Sequence, residues 1–234
     1  LKEGPFKNAQ DVDLKYILEM NPDRLLAPYL IASGIPVKAE RYGNWESIGL
    51  DGHIAGHYLS ALAMMYASTG NAEVKTRLDY MISELEKCQQ KNGNGYVGGI
   101  PQGKVFWDRI HSGDIDGSNF GLNNTWVPLY NIHKLFAGLT DAYRYTGNEK
   151  AKDVLIKLGD WFIELIRPLS EEQIQNILKT EHGGINESFA DLYSITKDKK
   201  YLETAEKLSH LAILNPLEKK EDKLTGLHAN TQIP

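Results

Sequence analysis

Apolar side chains recur along this chain at three- and four-residue steps, the spacing that gathers them on one face of an α-helix. The clearest stretch is residues 50–70, LDGHIAGHYLSALAMMYASTG. There Ile54, Tyr58, Leu62 and Met65 form a stripe, and Ala55, Ala61 and Ala63 lie between them. Gly70-Asn71 closes the helix, as glycine does at many helix ends. That ending, Tyr66-Ala-Ser-Thr-Gly70-Asn71, returns as Tyr143-Arg-Tyr-Thr-Gly147-Asn148 and, weakened, as Tyr193-Ser-Ile-Thr-Lys197-Asp198. After each copy comes a more charged amphipathic helix. The stripes are Val74, Leu78, Met81, Leu85 and Cys88; then Val154, Leu155, Leu158, Trp161, Phe162 and Leu165; then Tyr201, Ala205, Leu208 and Ala212. The unit is an αα-hairpin used three times.

The intervening segments read as follows. Residues 1–10 are polar and loop-like, and residues 11–20 form a short helix with Val12, Tyr16 and Met20 on one side. Asn21-Pro22-Asp23 interrupts, and a second short helix over residues 23–33 stops at Gly34. Residues 35–49 form a loop of aromatic and amide groups. Residues 91–124 are Gly-rich and irregular, and a loop of that length inside a domain is usually functional or disordered. Trp107, Phe106 and Phe120 argue against disorder there. Pro128 opens the second unit in a helix's first turn. Ser170 caps a polar helix over residues 168–179, and the third unit runs from Glu181 to about Leu214, with Pro216 ending it.

Hairpins with one apolar and one charged helix close into an α/α toroid, the apolar helices forming the inner ring. The expected fold is therefore all-α, an incomplete (α/α)6 toroid, with residues 1–234 as the N-terminal portion of a single catalytic domain. The inner helices carry polar groups at their starts. Asp51, His53 and His57 precede and enter the first, His133 the second, and His182, Asn186 and Glu187 the third. His228 stands in a tail, GLHANTQIP, that reads as the beginning of another. In a toroid these groups converge on one cavity. The same pattern at the first helix also fits an N-capping Asp51 and two histidines satisfied by nearby carbonyls.

Chemistry narrows by exclusion. His53 and His57 stand four apart, yet no Glu follows His53 as HExxH requires, and no metal site is read from this chain. No G-x-S-x-G or phosphate loop occurs. Cys88, the single cysteine, lies on a core stripe and reads as inert. Imidazole, amide and indole groups beside a few carboxylates suit the hydroxyls and C–H faces of a sugar. The net charge of −5, with no basic cluster, gives nucleic-acid binding no support, and no apolar run nears the roughly 20 residues that span a bilayer. The chain opens with Leu1, so a periplasmic or secreted destination is expected if a signal peptide has been removed.

The runs LDGHIAGHYLSAL, WVPLYNIHKLFAGLTDAY, EHGGINESFADLY and GLHANTQIP, with GPFKNAQ and PDRLLAPYL near the start, closely resemble β-L-arabinofuranosidases of glycoside hydrolase family 127 and its relative, family 146. The resemblance covers essentially the whole chain. It implies an (α/α)6 toroid followed by β-sandwich domains, and a retaining enzyme of plant-glycan breakdown. That enzyme would use a zinc-bound cysteine nucleophile and a glutamate acid/base to release L-arabinose. Sugar-contacting histidines would fall on His133, His182 and His228. The segment from Asp51 to His57, including His53, would border the same pocket, and Glu187 matches a carboxylate of the motif after His182.

The resemblance also implies that the nucleophile, the zinc ligands and the catalytic glutamate lie beyond the motif that ends this chain. The isolated chain is therefore expected to hold no catalytic zinc and to be inactive. Its uncovered inner helices would favour self-association. Two rival readings stand beside this one. A different toroid enzyme, such as an unsaturated-uronide hydrolase or a sugar epimerase, would need Glu187 for turnover. A non-catalytic helical scaffold would use its histidines structurally.

Overall fold

The computed structural model describes residues 1–118, 121–181 and 184–223. Pro5–Glu19 forms α1 and Pro22–Ala32 forms α2, with Pro5 and Pro22 in their first turns, where the missing N–H costs nothing. A 3₁₀ turn over Asn44–Ser47 leads into the first hairpin, α3 (His53–Thr69) and α4 (Ala72–Asn92). Helix α5 (Gly103–His111) follows, then three two-residue antiparallel strands: β1 (Gly117–Ser118), β2 (Gly121–Leu122) and β3 (Thr125–Trp126). Gly117 pairs with Leu122, and Gly121 with Trp126. The second hairpin is α6 (Pro128–Thr146) and α7 (Glu149–Ile166). After α8 (Glu171–Thr180) come α9 (Ile185–Thr196) and α10 (Lys199–Lys207), and α11 (Leu211–Glu218) ends the described chain.

The three hairpin turns are built alike. Gly70 and Gly147 take the left-handed conformation and donate back to Tyr66 and Tyr143, at 2.7 and 2.8 Å; Lys197 does the same to Tyr193 at 2.8 Å. Thr69, Thr146 and Thr196 each donate a hydroxyl to the carbonyl four residues earlier. Asn71, Asn148 and Asp198 then cap the next helix, their side-chain oxygens accepting its first free N–H groups.

Helix α3 packs on α6 and α6 on α9, while their partners α4 and α7 pack on each other outside. This is the inner and outer layering of an all-α toroid. The first outer stripe, Val74, Leu78, Met81, Leu85 and Cys88, is fully buried. The second is buried at Val154, Leu155, Leu158, Phe162 and Leu165, with Trp161 partly covered. Each such side chain removed from water contributes roughly 1.5–3 kcal/mol before entropy is counted. Burial pushes the Cys88 thiol up to about 11, so it stays protonated and unreactive.

Several expectations change. Helix α1 starts six residues earlier than its apolar pattern, because Pro5 initiates it. It has no buried residue, and Val12 and Tyr16 face solvent. The Gly-rich stretch holds a real helix, α5, which buries Phe106, Trp107 and Ile110. The third outer helix stops at Lys207, Ala212 is exposed, and Pro216 lies inside α11 rather than after the last helix.

The layering depends on one close crossing. A Cβ on Gly56 would lie 2.2 Å from the Lys134 carbonyl, and one on Gly138 would lie 2.4 Å from the Gly56 carbonyl oxygen. Gly56→Ala or Gly138→Ala must therefore push α3 and α6 apart, and each is expected to cost about 3 kcal/mol in urea unfolding. Lys197 occupies the position that glycine holds in the other two turns, with φ +62°. Lys197→Gly is expected to raise stability by about 1 kcal/mol in the same measurement, the left-handed cost of a side chain being removed.

Candidate functional site

Three inner helices bring their N-terminal turns together. From α3 come His53 and His57, from α6 Tyr130, His133 and Lys134, and from α9 Glu187. The rings of His53 and His57 stand 6.2 Å apart and edge-on, with Tyr130 at 6.0 and 6.2 Å from them. His57 Nε2 lies 3.1 Å from the Tyr130 hydroxyl. Lys134 Nζ sits 4.7 Å from the centre of the Tyr130 ring. His133 Nε2 is 3.7 Å from Glu187 Oε2, and a Cβ on Gly184 would meet the His133 ring at 3.0 Å. The Trp45 indole lies 6.4 Å from His53, and Trp126 stands edge-on to Trp45 at 6.3 Å.

Beneath this cluster two buried carboxylates hold the helix starts. Glu46 accepts the N–H groups of Gly52 and Ile54, both at 3.0 Å, and contacts His53 Nδ1 at 2.7 Å. Glu181 accepts the N–H groups of Leu129, at 2.8 Å, and Tyr130. Helix starts present unpaired N–H groups, and a buried carboxyl group there accepts hydrogen bonds from them. Asp51 is therefore not the N-cap. The cap position of α3 is Gly52, in the left-handed region, and Glu46 takes the amides. The Asp51 carboxylate is engaged by Arg41 Nη1 at 2.5 Å and Gly49 N–H at 3.0 Å, and its carbonyl accepts from Asn131 Nδ2 at 3.0 Å. It braces the cluster from behind.

The electrostatics favour a neutral surface. Partial burial, then the Lys134 ammonium and His53, lower the His57 pKa below its usual 6.5, so this ring is uncharged at neutral pH. Burial also lowers the Lys134 pKa, against the pull of Glu187. Burial pushes Glu181 up to about 8, although its two N–H bonds act the other way.

The structure thus places His53, His57, His133 and Glu187 around one cluster, with Asp51 behind it. His182 and His228 lie outside the described residues. Sequence reasoning missed Tyr130, Lys134, Glu46 and Glu181. Tyr130 stands three residues before His133, one helical turn away, and that spacing was a readable signal. Among the described residues, no group of three His, Cys, Asp or Glu side chains is placed to hold a metal ion. No helix among them is long and apolar enough to cross a membrane.

A family model for the β-L-arabinofuranosidase GH127 catalytic domain matches residues 1–234. The chain belongs to that family. A solved structure similar to it is a GH127 β-L-arabinofuranosidase from Geobacillus stearothermophilus T6, at 18% identity and a TM-score of 0.58. The match covers 97% of this chain and 35% of that one, so the chain spans about a third of that relative's length. The likeness extends to the helical fold. The search of curated proteins gave no match.

The Glu181 carboxyl of this GH127 chain sets a pH dependence. A carboxyl raised from 4.5 to about 8 by burial holds its proton in the folded state where the unfolded chain has lost it. Stability should therefore fall as pH rises from about 4.5 to about 8, and level off above. Thermal unfolding across that range should show the fall in the wild type and a fall smaller by a few kcal/mol in Glu181→Gln.

Proposed function

We propose that this chain supplies one wall of the sugar-binding pocket of a retaining β-L-arabinofuranosidase acting on β-linked L-arabinofuranosides of plant glycans. The observation that supports this reading is the meeting of His57, His133 and Glu187 from three inner helices beside Trp45 and Trp126. A neutral imidazole both donates and accepts, as a sugar hydroxyl does, so His57 can orient one without a charge mismatch, and the His133 ring offers a second polar contact. Glu187, exposed and next to His133, can accept a hydrogen bond from a second hydroxyl. The Trp45 indole offers a face for the C–H surface of the ring. His182 and His228 belong to the same proposed wall. These groups fix the position of the sugar, and orientation of this kind contributes to rate by holding the reacting bond in place.

The family resemblance implies zinc, and the described residues offer no set of ligands that fits it. Cys88 is fully buried in the core with its thiol pushed up to about 11. No described cluster offers three ligands. Nucleophile, zinc ligands and acid/base are therefore assigned to none of the described residues. No step through the metal is derived from the residues present.

Calorimetric titration with L-arabinose tests the reading. The chain should bind the sugar, and His133→Ala should weaken it about tenfold, a loss typical of a central polar contact. Absence of binding, or binding indifferent to His57→Ala and His133→Ala alike, would refute the pocket. The purified 234-residue chain alone should release no arabinose, and release with longer enzyme excluded would refute that assignment of the catalytic groups.

A further inference from the structure

The imidazole cluster does not end at Trp45. On the other side of the 3₁₀ turn that carries this residue, an open cleft of about 750 Å³ runs between the turn and α1. Its walls include Tyr16 and Glu19 from α1, Tyr42, Asn44 and Trp45 from the turn region, and Ile54 from α3. Trp45 thus borders both places: its ring lies 6.4 Å from His53 and also lines the cleft.

Two of the wall residues are aromatic rings left in water. Tyr16 is 63% exposed and Trp45 59% exposed. Tyr16 is not buried by packing there, since α1 has no buried residue. Tyr42 is held in place by the Asn21 N–H on its hydroxyl, at 3.0 Å, and by the Arg24 guanidinium 3.9 Å from its ring centre. Asn44 adopts φ +54°, a left-handed conformation disfavoured for a side-chain-bearing residue, at the turn that projects Trp45 outward. Glu46, which also borders the cleft, is turned inward onto the α3 amides and His53. The cleft therefore presents aromatic faces, one amide and the Glu19 carboxylate. Those are the groups that grip neutral sugar rings by their C–H faces and hydroxyls. Its size is that of a ligand pocket holding more than one small ring.

We infer that this cleft is a second carbohydrate subsite, which binds the glycan chain continuing from the sugar at the imidazole cluster, with Tyr16 and Trp45 as its platforms. The inference rests on the proposed sugar-binding role of that cluster, and Trp45 is the link between the two. The occupant is a run of further sugar units, and the cleft sets the preference for an oligosaccharide over a single pentose.

Calorimetry with L-arabinose and with an arabino-oligosaccharide of several units tests this on the chain and on any longer form of the protein. The oligosaccharide should bind about tenfold more tightly than the monosaccharide. Tyr16→Ala should remove that gain and leave the monosaccharide affinity unchanged, while Tyr16→Phe, which keeps the ring face, should retain it. Tyr16 is exposed, so neither variant disturbs the core. Equal affinity for both sugars, or a gain that survives Tyr16→Ala, overturns the subsite. If His133→Ala leaves oligosaccharide binding intact while Tyr16→Ala abolishes it, the subsite stands and the imidazole pocket falls. If neither sugar binds, both fall.

Discussion

Everything at the candidate site depends on how closely α3 and α6 cross. At Gly56 and Gly138 the two helices touch backbone to backbone, with no room for even a methyl group. His57 follows Gly56 directly, and His133 precedes the Lys134 carbonyl on which Gly56 rests. A wider crossing would separate the His57 ring from the Tyr130 hydroxyl that it meets at 3.1 Å. The crossing also fixes the heights of the two helix starts relative to each other. Asn131 of α6 can then reach the carbonyl of Asp51, just before α3. Small residues at a packing interface are here a device for placing large polar ones.

That device is paired with a second. Each of the two crossing helices has its first amides held by a buried glutamate from outside the helix, Glu46 for α3 and Glu181 for α6. The two differ in reach. Glu46 comes from a 3₁₀ turn just upstream, whereas Glu181 comes from the far end of α8, 52 residues away from Leu129 in sequence. Helix α6 is therefore tied to the segment that leads into the third hairpin. The start of α9 is brought beside His133 by the same connection, through the contact of Gly184 with that ring.

What could be read from the sequence follows from the range of the interactions. The hairpins were legible because their signals are local: a Thr-Gly-Asn turn, a stripe every third or fourth residue, a serine with a glutamine three residues on. Ser170 and Gln173 form the reciprocal capping box that this spacing announces. Helix α5 was hidden because glycines surround it and only three of its residues face the core. Helix α1 misled in the opposite sense, since Val12 and Tyr16 face solvent while Leu14, Ile17 and Leu18 pack against the core. The glutamate caps could not be found at all, because nothing near Glu181 in sequence points to Leu129 and Tyr130. Convergence of the histidines was legible only through the fold: hairpin periodicity predicts inner helices, and inner helices bring their starts together.

The capping glutamates also bear on what the site can hold. A helix N-terminus is ordinarily an anion site, since free N–H groups and the dipole both attract negative charge. Here the first amides of α3 and α6 already donate to side-chain carboxyl groups of the chain, Glu46 and Glu181. An anionic sugar approaching the cluster would find those amides taken and Glu187 facing it across His133. The nearest compensating cation is Lys134, whose pKa is itself lowered by burial and whose ammonium lies over the Tyr130 ring. A uronide, with its carboxylate, meets a surface arranged against it. A neutral pentose meets the uncharged His57 imidazole, a phenol and indoles. Under the proposed function the helix starts thus weigh against the uronide-hydrolase reading, while a sugar epimerase, whose substrate is also neutral, is not set apart by charge.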